Sequence, residues 1–141
     1  MQPVQNLIWK FETNLTSLLL AWSIFSLLTG LYHWFAANDF GRAFGVQAIV
    51  WGLVDAGIAI IGARTAIRRK STTEPESEAL FIRKVLWINF ALDILYVIAG
   101  VYVSTLGGAF WQGTGWGVVV QGAFLFFFDL IHAIKVPVEV K

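Results

Sequence analysis

Four long apolar stretches constrain the fold of this chain more than any other feature of its sequence. They cover about residues 15–36, 41–63, 85–104 and 113–134. A helix needs roughly 20 mostly apolar residues to cross about 30 Å of bilayer hydrocarbon, so each stretch is long enough to span a membrane. The stretches are too long for the strands of a membrane barrel and lack their alternating pattern. The sequence therefore predicts an all-α transmembrane bundle of four helices, with residues 1–141 forming a single domain.

The composition agrees with a membrane environment. Hydrophobic residues make up 57% of the chain and charged residues 13%, whereas a soluble domain is about half apolar and a quarter charged. The net charge of +1 gives no reason to expect a nucleic-acid partner. Because the chain has no cysteine, disulfides, thiolate metal sites and thiol catalysis are excluded. The expected partner is the lipid bilayer, and no cofactor is expected.

Basic residues are distributed unequally about the four spans. With four spans, Arg42 is the only basic residue that falls on the side of the membrane where the first span ends and the second begins. The others border the connection over about residues 64–84 or lie towards the termini: Lys10, Arg64, Arg68, Arg69, Lys70, Arg83, Lys84, Lys135 and Lys141. Lysine and arginine are enriched in cytoplasmic loops. The sequence therefore predicts that this connection and both termini are cytoplasmic, in a multi-pass protein. An acidic segment within the connection is expected to begin a helix that leads into the third span.

The two helical hairpins resemble each other. In the first helix "TGLY" matches "AGVY" in the third, and the interval between Gln47 and Asp55 recurs between Gln121 and Asp129. Chance similarity between apolar helices is the alternative explanation. If the repeat is real, both halves begin on the same side of the membrane. The predicted bundle then consists of two parallel repeats related by an axis along the membrane normal.

Three aspartates within the apolar stretches raise the main functional question. Helical rise places Asp55, Asp93 and Asp129 about 9–13 Å from the nearest basic flank, at similar depths on three different helices. An acid at mid-bilayer costs roughly 2.5–3.5 kcal/mol, so these side chains are expected to face the interior of the bundle. No lysine or arginine lies at this depth to pair with them. The predicted cluster is therefore neutral, hydrated or cation-binding.

Further polar residues extend this cluster into a predicted polar seam. Their helical spacing places Asn89, Asp93 and Tyr96 on one face of the third helix. The full seam comprises Asp55, Asn89, Asp93, Tyr96, Gln121 and Asp129. Weaker candidates for the same site are Ser23, Ser26, Gln47 and His132. No metal site is predicted from these residues.

The seam supports two interpretations. Intramembrane acids are functional candidates, which favours a small transporter-like or channel-like protein that handles protons, cations or a small polar solute. Since four helices rarely enclose a complete pathway, this interpretation predicts a homo-oligomer. Alternatively, the polar residues only fix the register of the helices by hydrogen bonds, in an accessory or scaffold protein that binds another membrane protein or lipid. No catalytic constellation is legible, so an enzyme is not expected.

Three segments of the sequence are similar to segments of a known family: "AWSIFSLLTG", "LWINFALDILYVIAG" and "GWGVVVQGAFLFFFDLIHA". Together they resemble a family of small four-helix bacterial membrane proteins that is classed only as a domain of unknown function. The resemblance implies a protein of the bacterial inner membrane. It also implies matching positions at Asn89, Asp93, Tyr96, Gln121 and Asp129. It implies no activity.

Overall fold

The computed structural model describes residues 4–36 and 38–138, which form four α-helices and no strand. The helices are α1 (Val4–Ala36), α2 (Asp39–Arg69), α3 (Pro75–Ser104) and α4 (Ala109–Lys135). Each is long and apolar enough to cross a membrane, as expected of a multi-pass membrane protein. The prediction of an all-α, four-helix fold is thus confirmed. The two chain ends, including Lys141, lie outside the described residues.

The helices extend beyond the predicted spans, both at the start of α1, which begins at Val4 and not near residue 15, and around the connection between α2 and α3. The sequence predicted a connection over about residues 64–84, but α2 continues to Arg69 and α3 already begins at Pro75. Proline at the first helical position has the backbone angle that a helix start needs. Glu76 and Glu78 follow in the first turn, where negative charge stabilises the positive end of the helix dipole. The expected helix start in the acidic segment is therefore confirmed, and the non-helical connection is short.

The helices pack as two hairpins that meet along one diagonal. α1 packs against α2 and α3 against α4, and the two hairpins contact each other mainly through α2 and α4. α1 and α3 contact less extensively. A buried apolar cluster that includes Ile8, Ala79, Leu86 and Ala133 joins α1, α3 and α4 near the α2–α3 connection. The α2–α3 pair has no extensive contact within the described ranges.

Glycine pairs allow the closest approach within each hairpin. A Cβ atom added to Gly30 would lie 2.7 Å from the carbonyl oxygen of Gly45, and one added to Gly100 would lie 2.8 Å from that of Gly115. Both distances are too short for a real side chain, so the backbones touch only because these residues are glycine. Both contacts lie in the half of each hairpin that is remote from the α2–α3 connection.

The glycine contacts also define the register between the two hairpins. Each residue of the second pair lies 70 positions after its counterpart in the first. In this register Gln47 corresponds to Gly117 and Asp55 to Leu125. This register agrees with the match of "TGLY" and "AGVY", which pairs Gly30 with Gly100, whereas the second Gln–Asp interval is displaced from it by about one helical turn. Small residues set the helix contacts, whereas the polar residues lie at different depths in the two hairpins.

Candidate functional site

Aspartates from three helices meet at one cavity in the middle of the bundle. Asp55 of α2, Asp93 of α3 and Asp129 of α4 line this cavity, whose volume is about 140 Å³, together with Asn89 and Tyr96. We refer to it as the acid cavity. Apolar side chains form the rest of its wall, among them Leu19, Trp51, Leu125 and Phe128. Five of the six residues of the predicted seam thus lie together.

Helical periodicity explains how α2 and α3 present their acids. On α2 the buried stripe consists of small residues and then Asp55: Gly41, Gly45, Ala48, Gly52, Asp55 and Ala59. On α3 four of the five buried residues recur at every seventh position, at Ala79, Leu86, Asp93 and Gly100. Residues at such intervals share one helix face. Each acid therefore lies on the face that its helix turns towards the bundle interior.

The three carboxyl groups are buried and close to one another. Asp55 is 1% exposed, Asp93 2% and Asp129 5%. The carboxyl groups of Asp93 and Asp129 are within hydrogen-bonding reach, and Asp55 is near enough to interact electrostatically with both. Ionised carboxylates are acceptors only, so two of them can form a hydrogen bond only when one carries a proton. The arrangement is therefore suited to holding a proton between Asp93 and Asp129.

Part of the hydrogen-bonding capacity of this cluster is unused. Within the described part of the chain, the Oδ2 atoms of Asp55 and Asp93 are buried without a hydrogen-bond partner. No lysine or arginine from residues 4–36 or 38–138 lines the acid cavity. The described residues also contain no group of three or more His, Asp or Glu arranged to hold a metal ion. The two Oδ2 atoms could instead accept protons, water or a small cation.

Gln121, the sixth residue of the predicted seam, does not belong to this cavity. The indole nitrogen of Trp22 donates to the Gln121 side-chain oxygen at 3.0 Å, and the Gln121 amide nitrogen donates to the Ser26 hydroxyl at 3.2 Å. Ser23 is also buried, and its hydroxyl donates to the Leu20 carbonyl of its own helix at 2.7 Å. The structure thus groups Gln121 with Trp22 and Ser26 and not with the other five residues of the predicted seam. Gln121 points towards α1, and its side chain is satisfied there.

The remaining weaker candidates lie at helix contacts. Gln47 packs against Gly117, since a Cβ atom added to that glycine would lie 2.6 Å from the Gln47 Cβ. His132 lies with Nδ1 2.6 Å from the Phe128 carbonyl oxygen of its own helix. Its ring packs edge-on to Phe11, with centroids 5.8 Å apart. Neither residue lines the acid cavity.

A second charged cluster, formed by Glu12, Arg69 and Glu78, was not identified from the sequence. The Arg69 Nε donates to Glu78 Oε1 at 2.9 Å, while Arg69 Nη2 lies 3.9 Å from Glu12 Oε1. Glu12 is 3% exposed and Glu78 only 1%. The signal available in the sequence was the position of Glu78 next to the buried heptad of α3, beside Ala79.

Comparison with known proteins identifies a family. The model of DUF6992, described as a family of unknown function, matches residues 18–130, which include all the residues of the acid cavity. No curated protein and no solved structure matches the chain.

Proposed function

The chain belongs to the DUF6992 family, and we propose that it is a small transporter-like membrane protein whose acid cavity takes up and releases protons or a small cation. One observation carries this proposal. Asp55 and Asp93 are almost fully buried, yet in the described part of the chain each keeps a carboxylate oxygen without a hydrogen-bond partner. An unsatisfied buried acceptor is costly, and the cost falls when a proton, a cation or water occupies the site.

Gln121, in the same bundle, shows how a polar residue with a purely structural role is bonded, and the aspartates can be compared with it. Gln121 joins α4 to α1 by hydrogen bonds in which both its oxygen and its nitrogen have partners. Polar residues that only fix helix register are expected to be satisfied in this way. Asp55 Oδ2 has no such partner, and Asp93 can bond to Asp129 only when one of the two carries a proton, which supports a site with an exchangeable proton rather than a fixed interhelical tether.

The packing supports a carrier rather than an open pore. The glycine contacts bring the backbones of each hairpin together in the half remote from the α2–α3 connection. The acid cavity, of about 140 Å³, lies on the near side of these contacts. We propose that release to the other side requires either rearrangement of the helices or a homo-oligomer that completes the pathway. We propose no catalytic role for the acids.

The distribution of basic residues supports one orientation. Arg64, Arg68 and Lys70 lie on one side of the α2–α3 connection and Arg83 and Lys84 on the other. We propose that this end of the bundle faces the cytoplasm, in agreement with the enrichment of lysine and arginine there. The resemblance to small bacterial membrane proteins supports placement in a bacterial inner membrane.

Transport by purified protein in liposomes tests the proposal. Vesicles are loaded with indicators for protons, Na⁺ and K⁺, and flux is compared between the unmodified chain and the Asp93→Asn variant. Asp93→Asn should abolish most of the flux, because it removes the ionisable group shared with Asp129. Asp39→Asn is the matched control, since Asp39 is exposed at the start of α2.

Two outcomes would contradict transport. One is an unmodified chain that moves none of these ions or small polar solutes. The other is equal flux through the Asp93→Asn and Asp39→Asn variants. A chain without flux that instead co-purifies with another membrane protein would support the accessory or scaffold function.

A further inference from the structure

A larger cavity opens on the side of the bundle between α2 and α3. Its volume is about 360 Å³, within the range of roughly 300–1,000 Å³ typical of small-molecule sites. We call it the side groove. All four helices contribute to it, and its walls are predominantly apolar, with Leu15, Ile61, Phe81, Ile82 and Leu86 among the lining residues. The groove exists because α2 and α3 have no extensive contact within the described residues.

The side groove is lined by more acidic than basic residues. Its charged lining residues are Glu12, Arg69 and Asp129. Arg69 is already engaged by Glu78, to which its Nε donates at 2.9 Å, and its Nη2 approaches Glu12 only to 3.9 Å. Glu12 therefore shares this guanidinium with Glu78, and no ion pair joins Asp129 to Arg69 among the described residues.

Glu12 is the unsatisfied member of this set. It is 3% exposed, and neither of its carboxylate oxygens accepts a hydrogen bond from a described residue; the neighbouring Glu78 carboxyl can bond to it only by sharing a proton. A buried carboxylate without a donor carries a large desolvation cost. A cation in the groove would offset this cost, whereas neutral hydrocarbon would not and an anion would increase it.

We propose that the side groove binds a lipophilic organic cation, with its apolar groups against the groove wall and its charge beside Glu12. The apolar wall supplies the contact area, and Glu12 selects the sign of the charge. Asn89 and Asp129 line both this groove and the acid cavity, but the proposed anchor, Glu12, lines only the groove and Asp93 lines only the acid cavity.

A pair of ions of the same shape and opposite charge tests the selection. Equilibrium dialysis of the detergent-solubilised full chain is carried out with tetraphenylphosphonium and with tetraphenylborate. The phosphonium should bind saturably and the borate should not. Equal binding of the two ions, or no saturable binding of the phosphonium, would overturn the proposal.

Variants of Glu12 test the anchor. Glu12→Gln should weaken phosphonium binding by roughly tenfold or more, because a charge-assisted contact is replaced by a neutral one. Glu12→Asp retains the charge and should bind more tightly than Glu12→Gln. Glu74→Gln is the control at an exposed glutamate. Unchanged binding by a folded Glu12→Gln variant would contradict the assignment.

Two further variants keep the test decisive. Ile61→Trp fills the groove from an exposed position, 64% accessible, and should block phosphonium binding without any change in charge. Retained binding by Ile61→Trp would place the ligand elsewhere and overturn the proposal, even if Glu12→Gln does not fold. Asp93→Asn should retain binding, so a failure of this proposal is distinguishable from a failure of the transport proposal.

Discussion

The indole nitrogen of Trp22 donates a 3.0 Å hydrogen bond to the side-chain oxygen of Gln121 and so connects α1 with α4. The Gln121 amide donates in turn to the Ser26 hydroxyl. The Trp22 ring also stacks on Phe124, with centroids 3.7 Å apart. This contact also joins the two hairpins, in addition to the α2–α4 packing and the apolar cluster that includes Ile8.

Removal of the Gln121 amide should therefore weaken the bundle. We expect Gln121→Ala to lower the free energy of unfolding by about 1–2 kcal/mol, because Trp22 and Ser26 lose their partner inside the bundle. Reversible unfolding in mixed detergent micelles measures the change. The control is Gln112→Ala at an exposed position of α4. Equal stability of the two variants would show that the Trp22–Gln121 contact contributes nothing.

The glycine contacts predict a second difference in stability. Gly30→Ala should destabilise the protein by about 1–3 kcal/mol, because the new methyl group overlaps the Gly45 carbonyl and forces α1 and α2 apart. Gly57→Ala is the matched control on α2, since a Cβ atom there meets nothing within 4 Å in the described structure. Its stability should stay the same or rise by up to about 1 kcal/mol from better helix propensity. The same unfolding assay separates them, and a tolerated Gly30→Ala would contradict the packing.

Arg69 should stabilise the end of the bundle near the α2–α3 connection. Arg69→Gln leaves the buried Glu78 without its 2.9 Å partner, and we expect a loss of about 1–3 kcal/mol, reduced from the fully buried case because Arg69 is partly exposed. Arg68→Gln, at an exposed neighbour, should have little effect. Adding Glu78→Gln to the Arg69→Gln variant should restore part of the loss. A double-mutant cycle without coupling would rule out this ion pair as a stabilising contact.

The proposed orientation can be read by cysteine labelling, because the chain has no cysteine of its own. Ser71→Cys lies between α2 and α3 and Thr105→Cys between α3 and α4. A membrane-impermeant maleimide added to intact cells should label the second variant only. Inside-out vesicles should reverse the result. Labelling of Ser71→Cys in intact cells would invert the proposed topology.

The sequence predicted those features that follow from the length, the start and the periodic face of a single helix. The four helices, the α3 start at the acidic segment, and the meeting of Asp55, Asp93 and Asp129 all follow from apolar length, helix-start chemistry and face. Asp55 could be placed because it continues the small-residue stripe of α2, and Asp93 because it shares a face with Asn89 and Gly100.

Other features depend on how far one helix is displaced along its neighbour. The sequence of a single helix does not determine this displacement. Gln121 was assigned to the seam, but the α1–α4 contact supplies its partners. Glu12 and Glu78 resemble solvated charges at span ends, and only the convergence of α1, α2 and α3 buries them. The register of the repeat was predicted by the match of "TGLY" with "AGVY", but the two Gln–Asp intervals do not follow it.

The proton content of the acid cavity is the most direct test of the proposed function. Infrared difference spectroscopy of the purified chain in lipid measures the carboxylic-acid C=O band as the pH is changed over the range in which the protein stays folded. The proposal predicts a band that titrates in the unmodified chain and the Asp39→Asn control, and that is lost or altered in Asp93→Asn. A spectrum without a titrating band, or one identical in Asp93→Asn, would contradict an exchangeable proton shared by Asp93 and Asp129.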